Sequence, residues 1–286
     1  MTTAVLLLSC PDDQGIVAAV SDFIARHDGN IVHADQHVDP VGVGAGPVFF
    51  QRIEFVLDGF GLARDEIAPA FAPIAERFGM EVALRFSDHR IRTALLASKQ
   101  PHCLADLLVR WSSGELPCDV SVVVANHPDH AALCAGLGVP FVHLPVDERG
   151  QAVQEQQVLD TLAEHDTELV VMARYMRVLS PTAIAAYPNR IINIHHSFLP
   201  AFIGANPYRQ AHDRGVKLIG ATAHYATDDL DEGPIIDQAT TRVSHRDDVA
   251  RLTRAGRDLE TTVLARAVRA HLEHRVLVYG HKTVVF

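Results

Sequence analysis

No stretch of this sequence approaches the ~20 consecutive apolar residues that cross a bilayer. The opening MTTAVLLLSCPDDQG has an apolar run of only Ala4 to Leu8 with no basic residue before it, so neither a secretion signal nor a membrane span is expected. Blocks of five or more Lys and Arg are also missing, and the formal net charge is −10. Both facts argue against nucleic acid or an anionic membrane as the main partner. Cysteine is scarce: Cys10, Cys103, Cys118 and Cys134 form no CxxC pair and sit among apolar residues. That usage predicts reduced, mostly buried thiols in a cytoplasmic protein. No His stands near Cys10 in the sequence to activate it as a nucleophile.

With 48% hydrophobic and 21% charged residues, the chain has the composition of a globular protein that can build a core. Its 286 residues exceed one average domain of roughly 100–200 residues, which suggests two. Residues 1–86 read as one unit. Strands are predicted at Val5–Ser9, Asn30–Val38, Val48–Leu57 and Glu81–Phe86, and helices at Gly15–Arg26 and Ile67–Phe78. The order β-α-β-β-α-β is the ferredoxin-like split βαβ layout. DPVGVGAGP, residues 39–47, reads as the hairpin loop of its middle strands. The unit's candidate site is the turn CPDDQGI, where Asp12, Gln14, Gly15 and Ile16 stand at a helix start whose free N–H groups can meet a carboxylate. An ordinary helix start capped by Asp12 or Asp13 fits those residues as well.

After the polar joint SDHR, residues 87–90, strands and helices alternate through the rest of the chain, residues 87–286. Strands are predicted at Thr93–Ala97, Val120–Ala125, Phe141–Leu144, Leu169–Ala173, Ile191–His195 and Leu218–Tyr225. Runs such as VSVVVA and ELVVMA are apolar throughout, as parallel strands covered on both faces require. The fold class is therefore α/β, with a doubly wound, mostly parallel sheet whose ligands lie beyond the strands' carboxyl ends. A long helix follows Ser244, with Ser244-x-x-Asp247 as its expected capping box. RVLVYG and KTVVF close the chain as two short strands.

The polar residues of RIINIHHSFLP, 190–200, stand where packing alone favours Val or Ile. Residues two apart on a strand share a face, so Asn193 and His195 converge at its carboxyl end and suit a developing oxyanion. His196 points the other way and reads as structural. Some thirty residues on, HYATDDLDEGP supplies Asp228, Asp229, Asp231 and Glu232. If these converge, mutual repulsion and burial raise at least one carboxyl pKa, which suits acid–base work on a water; a solvated acidic turn before Gly233-Pro234 is the plainer reading. His127-x-x-His130, His195-His196 and His224 keep a metal reading open, although no third ligand is fixed.

INIHHSFLPAFIGANPY together with HYATDDLDEGPII resembles the formyltransferases that use 10-formyltetrahydrofolate. With RTALLASKQPHCLADLLVRW, ANHPDH, ARYMRVLSP and RVLVYGHKTVVF, the chain is similar end to end to the formyltetrahydrofolate deformylase family. The resemblance implies hydrolysis of 10-formyltetrahydrofolate to tetrahydrofolate and formate, supplying formate and balancing one-carbon pools for purine biosynthesis. It puts the catalytic trio on Asn193, His195 and Asp231. The folate pocket falls on Met176, Arg177, Val178 and Leu179 and on the loop with Thr227 and Asp228. No metal and no cofactor is implied. Residues 1–86 become an ACT domain with glycine and methionine as candidate effectors, 87–286 the formyltransferase-like catalytic domain, and the assembly a homo-oligomer, dimer or tetramer. Leu199-Pro200 is expected to be cis.

The nearest rival by resemblance is a transferase with an amine acceptor, of the glycinamide ribonucleotide type, which holds a phosphate on a Gly-rich loop after its first strand. Here that stretch is ASKQPHC, residues 97–103, with no glycine and with Pro101 removing one N–H. The loss of that cradle favours water as the acceptor. A non-catalytic amino-acid sensor is the other alternative, opposed by the intact trio. Asn206, where the family pattern expects Lys, leaves any anion contact at that position in doubt.

Overall fold

A computed structural model describes residues 2–41, 46–148, 150–200 and 207–286. Asn206 and residues 42–45 of the predicted 39–47 loop lie outside the described residues. The chain divides into two compact units, Met1–Arg90 with Glu273–Phe286, and Ile91–Leu272.

The first unit runs β1 (Thr3–Pro11), α1 (Ile16–Arg26), β2 (Ile31–Asp39), β3 (Val48–Val56), α2 (Arg64–Phe78) and β4 (Glu81–Phe86), in the expected order. Its antiparallel sheet has the order β2-β3-β1-β4. Leu6 and Leu8 on β1 and Ile53 and Phe55 on β3 meet Ile16, Val20, Phe23 and Ile24 of α1 and Ile67 and Phe71 of α2 in one apolar core. These are alternate strand residues and i, i+4 helix residues, the two periodicities that place a single face inward. The C-terminal hairpin, β12 (Val276–Tyr279) and β13 (Lys282–Val285), belongs to this unit, whereas the sequence suggested that it closes the second domain. Long-range polar contacts hold it there. Buried Arg52 donates to the carbonyls of Glu273 and His274, and the Tyr279 hydroxyl donates to Asp39 at 2.5 Å.

The second unit comprises β5 (Ile91–Ala97), α3 (His102–Ser112), β6 (Cys118–Ala125), α4 (Ala131–Gly136), β7 (Phe141–His143), α5 (Gln151–Glu164), β8 (Leu169–Ala173), α6 (Pro181–Ala186), β9 (Ile191–His195), α7 (Pro207–Arg214), β10 (Leu218–Tyr225), β11 (Ile235–Arg242) and α8 (Val249–Leu272). Its seven-stranded sheet has the order β11-β10-β9-β8-β5-β6-β7. Strands β7, β6, β5, β8 and β9 are parallel; β10 runs antiparallel to both neighbours. The sheet is thus mostly parallel, and its order reverses where β5 meets β8, the point at which such sheets open a crevice. Strand β11 was not expected, because IIDQATTR has apolar residues only at its start. It is an edge strand, exposed along much of its length, so a hydrophobic pattern has little to record.

The start of α8 also differs from expectation. Ser244 and Asp247 do bond one another, but in the turn before the helix, and Asp248 caps it by accepting from the Arg251 N–H at 2.7 Å. All four cysteines are buried free thiols, and burial, with Asp12 and Asp13 nearby, pushes Cys10 up to about 11. Among the described residues no helix is long and apolar enough to cross a membrane.

Candidate active site

Asn193 and His195 sit at the carboxyl end of β9, and cross-strand pairing sets His224 of β10 opposite Asn193. Buried Thr222 fixes the chain just beyond them: its hydroxyl donates to the Ser197 carbonyl at 2.9 Å and accepts from the Leu199 N–H at 3.1 Å. The Leu199-Pro200 peptide is cis.

Asp231 reaches the same point from the loop after β10. Its φ of 59° lies in the left-handed region, which Asp tolerates better than most side chains. Gly233 makes the return possible, since a Cβ there would lie 1.8 Å from the Tyr225 carbonyl oxygen. The Asp231 carboxylate accepts from His195 Nδ1 at 3.2 Å, with its other oxygen 3.7 Å from His224 Nε2. His224 Nδ1 lies 2.9 Å from the Tyr225 carbonyl, an obligatory acceptor, so Nδ1 carries the proton. Burial holds this imidazole neutral by lowering its pKa. Its Nε2 is therefore a lone pair, and Asn193 Nδ2, 3.2 Å away, must be the donor. One amide N–H remains for a ligand. His195 Nε2 is buried without a hydrogen-bond partner among the described residues.

The expected rise of a carboxyl pKa in the acidic loop is overturned at Asp231. Burial pushes this group up, but the hydrogen bond from His195 and the surrounding imidazoles outweigh it and hold the carboxyl below its ordinary value. It meets imidazoles where the sequence suggested other carboxylates. His196 is half-buried and neutral, pushed down to about 4 by burial and by Arg174 and His195. It packs edge-on to both His195 and Tyr208 and lines the cavity as well, so it is not confined to the opposite face.

These groups open on a cavity of about 640 Å³ at the strands' carboxyl ends. Met176, Arg177, Val178, Leu179, Thr227 and Asp228 all line it, so every residue expected of a folate pocket meets the trio in one space. Helix α5 and the loop after β5 brace this wall. Gln154 donates to the Tyr175 hydroxyl at 2.9 Å, Gln151 to the Val178 carbonyl at 2.8 Å, and the Met176 N–H to Ser98 Oγ at 2.9 Å. His130 Nε2 donates to the Ser98 carbonyl at 2.5 Å, a further brace on the same loop.

The cavity also holds a second polar cluster that sequence reasoning missed. Glu260 of α8, 1% exposed, accepts from His102 Nε2 at 2.8 Å and from the Tyr208 hydroxyl, with Arg174 Nε at 3.3 Å. Burial pushes this carboxyl up, but the hydrogen bonds from His102 and Tyr208 and the Arg174 charge outweigh it and hold Glu260 below its ordinary carboxyl pKa. His102, Cys103 and Glu260 are close enough to share an ion. The guanidinium beside the carboxylate opposes a cation there, and burial pushes the Cys103 thiol far up. In the first unit, Asp12, Gly15 and Ile16 line a shallow hollow with Gln36 and Phe49, while Gln14 is not among its lining residues. The cap of α1 is Gly15 with φ 89°, and no side chain bonds it, so neither Asp12 nor Asp13 is the cap.

The Formyl transferase family profile matches residues 91–268. The formyltetrahydrofolate deformylase of Synechocystis sp. is 52% identical over 284 residues, 99% of this chain and 98% of its own. That of Bacillus subtilis is 48% identical over 98% of this chain and 93% of its own. The crystal structure of a formyltetrahydrofolate deformylase from Pseudomonas syringae pv. tomato superposes with a TM-score of 0.96 at 48% identity, covering 100% of this chain and 95% of that one. A shared fold, an Asn–His–Asp cluster at the sheet's carboxyl edge and near-half identity over the whole length agree: this chain belongs to the formyltetrahydrofolate deformylase family.

Proposed function

We propose that this protein hydrolyses 10-formyltetrahydrofolate to tetrahydrofolate and formate, with Asn193, His195 and Asp231 as its catalytic residues. The observation that carries the assignment of roles is their convergence in one cavity, with a spare donor on Asn193 and an unpartnered ring nitrogen on His195.

Folate lies along Met176–Leu179 and the Thr227–Asp228 segment, where backbone groups take the pterin ring. A water held by the Asp231 carboxylate attacks the formyl carbon. The carbonyl electron pair moves onto oxygen, which receives the free Asn193 N–H and the His195 Nε2–H of an imidazolium that Asp231 stabilises through Nδ1. Preorganised donors of this kind are worth about 10²–10³ in rate each. The C–N10 bond then breaks and its electrons go to N10, which takes one proton of the original water. The other proton leaves with formic acid. No cofactor takes part.

Residues 1–86 act as an ACT domain binding a small amino acid, glycine or methionine, in the hollow at the β1–α1 turn. Its split βαβ order supports the reading. The protein works as a homo-oligomer and supplies formate for purine synthesis. The test is product stoichiometry without any amine: equal yields of formate and tetrahydrofolate are expected, whereas tetrahydrofolate that forms only when an amine is added would refute hydrolysis.

A further inference from the structure

The polar cluster around Glu260 has no part in the folate reading, yet it lines the same cavity. Arg174 directly follows β8, the strand paired with β9, and lines the cavity together with His195. Its backbone is left-handed, with φ 62°. Such a conformation favours glycine and strains any other residue, and strain of this kind persists where a side chain serves a purpose. The guanidinium is mostly buried and lies on Glu260. Helix α8 in turn carries a glycine at 256, where a Cβ would lie 2.1 Å from the Tyr208 hydroxyl oxygen. A helix interior loses stability by holding glycine, and here that glycine lets Tyr208 reach Glu260.

We propose that Arg174, fixed by Glu260, is a specificity-determining residue that reserves the acceptor side of the cavity for water and keeps amines out. The inference rests on the hydrolytic reading above. Most amines arrive at neutral pH as ammonium ions. A mostly buried guanidinium lining the cavity that holds the trio repels them, and Glu260, the carboxylate that could attract them, already accepts from His102 and Tyr208 and is ion-paired with Arg174. Water is neutral and small and meets no such barrier. If the guanidinium is removed, Glu260 gains a free oxygen lobe and the space beside it opens to an amine. The amine nitrogen would then attack the formyl carbon, lose one proton and form a formamide, while the C–N10 bond breaks and N10 gains a proton.

The experiment supplies 10-formyltetrahydrofolate with the full-length protein in the presence of glycinamide, and measures formate and N-formylglycinamide by mass spectrometry. Wild type should yield formate with at most a trace of the formamide. Arg174→Gly suits the left-handed backbone and should raise the fraction of formyl groups captured by the amine at least tenfold. Arg174→Gln keeps bulk without charge and should move the fraction the same way, less far; it decides the matter if the glycine variant does not fold. Variants that release formate and partition as wild type does would overturn the proposal. So would variants that bind folate but form neither product, since Arg174 would then serve the reaction itself. A wild-type protein that releases no formate overturns the hydrolytic reading instead.

Discussion

Asp231→Asn isolates the charge at the centre of the site. Asparagine tolerates the left-handed backbone that Asp231 adopts, with φ 59°, so the loop should keep its path. The amide oxygen can still accept from His195 Nδ1, now 3.2 Å from the carboxylate, so the imidazole should keep its orientation. What disappears is the negative charge that holds the water and stabilises His195 as a cation. General acid–base catalysis contributes roughly 10²–10⁴ in rate, so kcat should fall by that factor, about 3–5 kcal/mol of barrier. The folate-lining residues are untouched, and Kd for a non-hydrolysable folate should change less than about threefold. Formate release in single-turnover and steady-state assays, with folate binding by fluorescence titration, measures both. A fall in kcat below tenfold, or a loss of binding as large as the loss of rate, would refute the assigned role.

Other expectations follow from the same geometry. Asn193→Ala leaves the fold intact but removes one oxyanion donor, and should cost about 10²–10³ in kcat; steady-state formate release checks it. Gly256→Ala gains up to about 1 kcal/mol of helix propensity but drives a methyl into the Tyr208 ring, so overpacking of about 1–3 kcal/mol should prevail and lower the midpoint in urea. His196 contributes a pH dependence of known sign. The unfolded chain binds its proton below the ordinary 6.5, the folded chain only below about 4. Stability is therefore full above 6.5 and is lost between these values, by about 3 kcal/mol at the acid end. His196→Asn should flatten that part of a urea-midpoint against pH curve, and an unchanged curve would show that His196 is not the group responsible.

Much of the site was legible because it rests on local signals. Asn-x-His at the end of an apolar strand announces itself by standing where packing does not want it, whereas Asp231, one of four acids in its loop, was picked out only by the family resemblance. The sign of the Asp231 shift was not legible, since it depends on which charges the loop meets, and it meets imidazoles from β9 and β10 instead of its own neighbouring acids. The Glu260 cluster joins residues up to 158 positions apart. One sign of it was available. Leu252, Gly256, Glu260 and Val263 share the buried face of α8, so a carboxylate stands at helical spacing within an otherwise uncharged buried stripe. Strand β11 and the place of the C-terminal hairpin escaped for a related reason. One is a polar edge, and the other is held by contacts of Arg52 and Tyr279 across more than 200 residues.

The central claim is that water is the formyl acceptor, and oxygen labelling tests it most directly. With the protein turning over 10-formyltetrahydrofolate in ¹⁸O-water, the formate released should carry one heavy oxygen per molecule, with the formyl oxygen retained. Formate without the label, or tetrahydrofolate formed with the formyl group on an amine, would contradict the account.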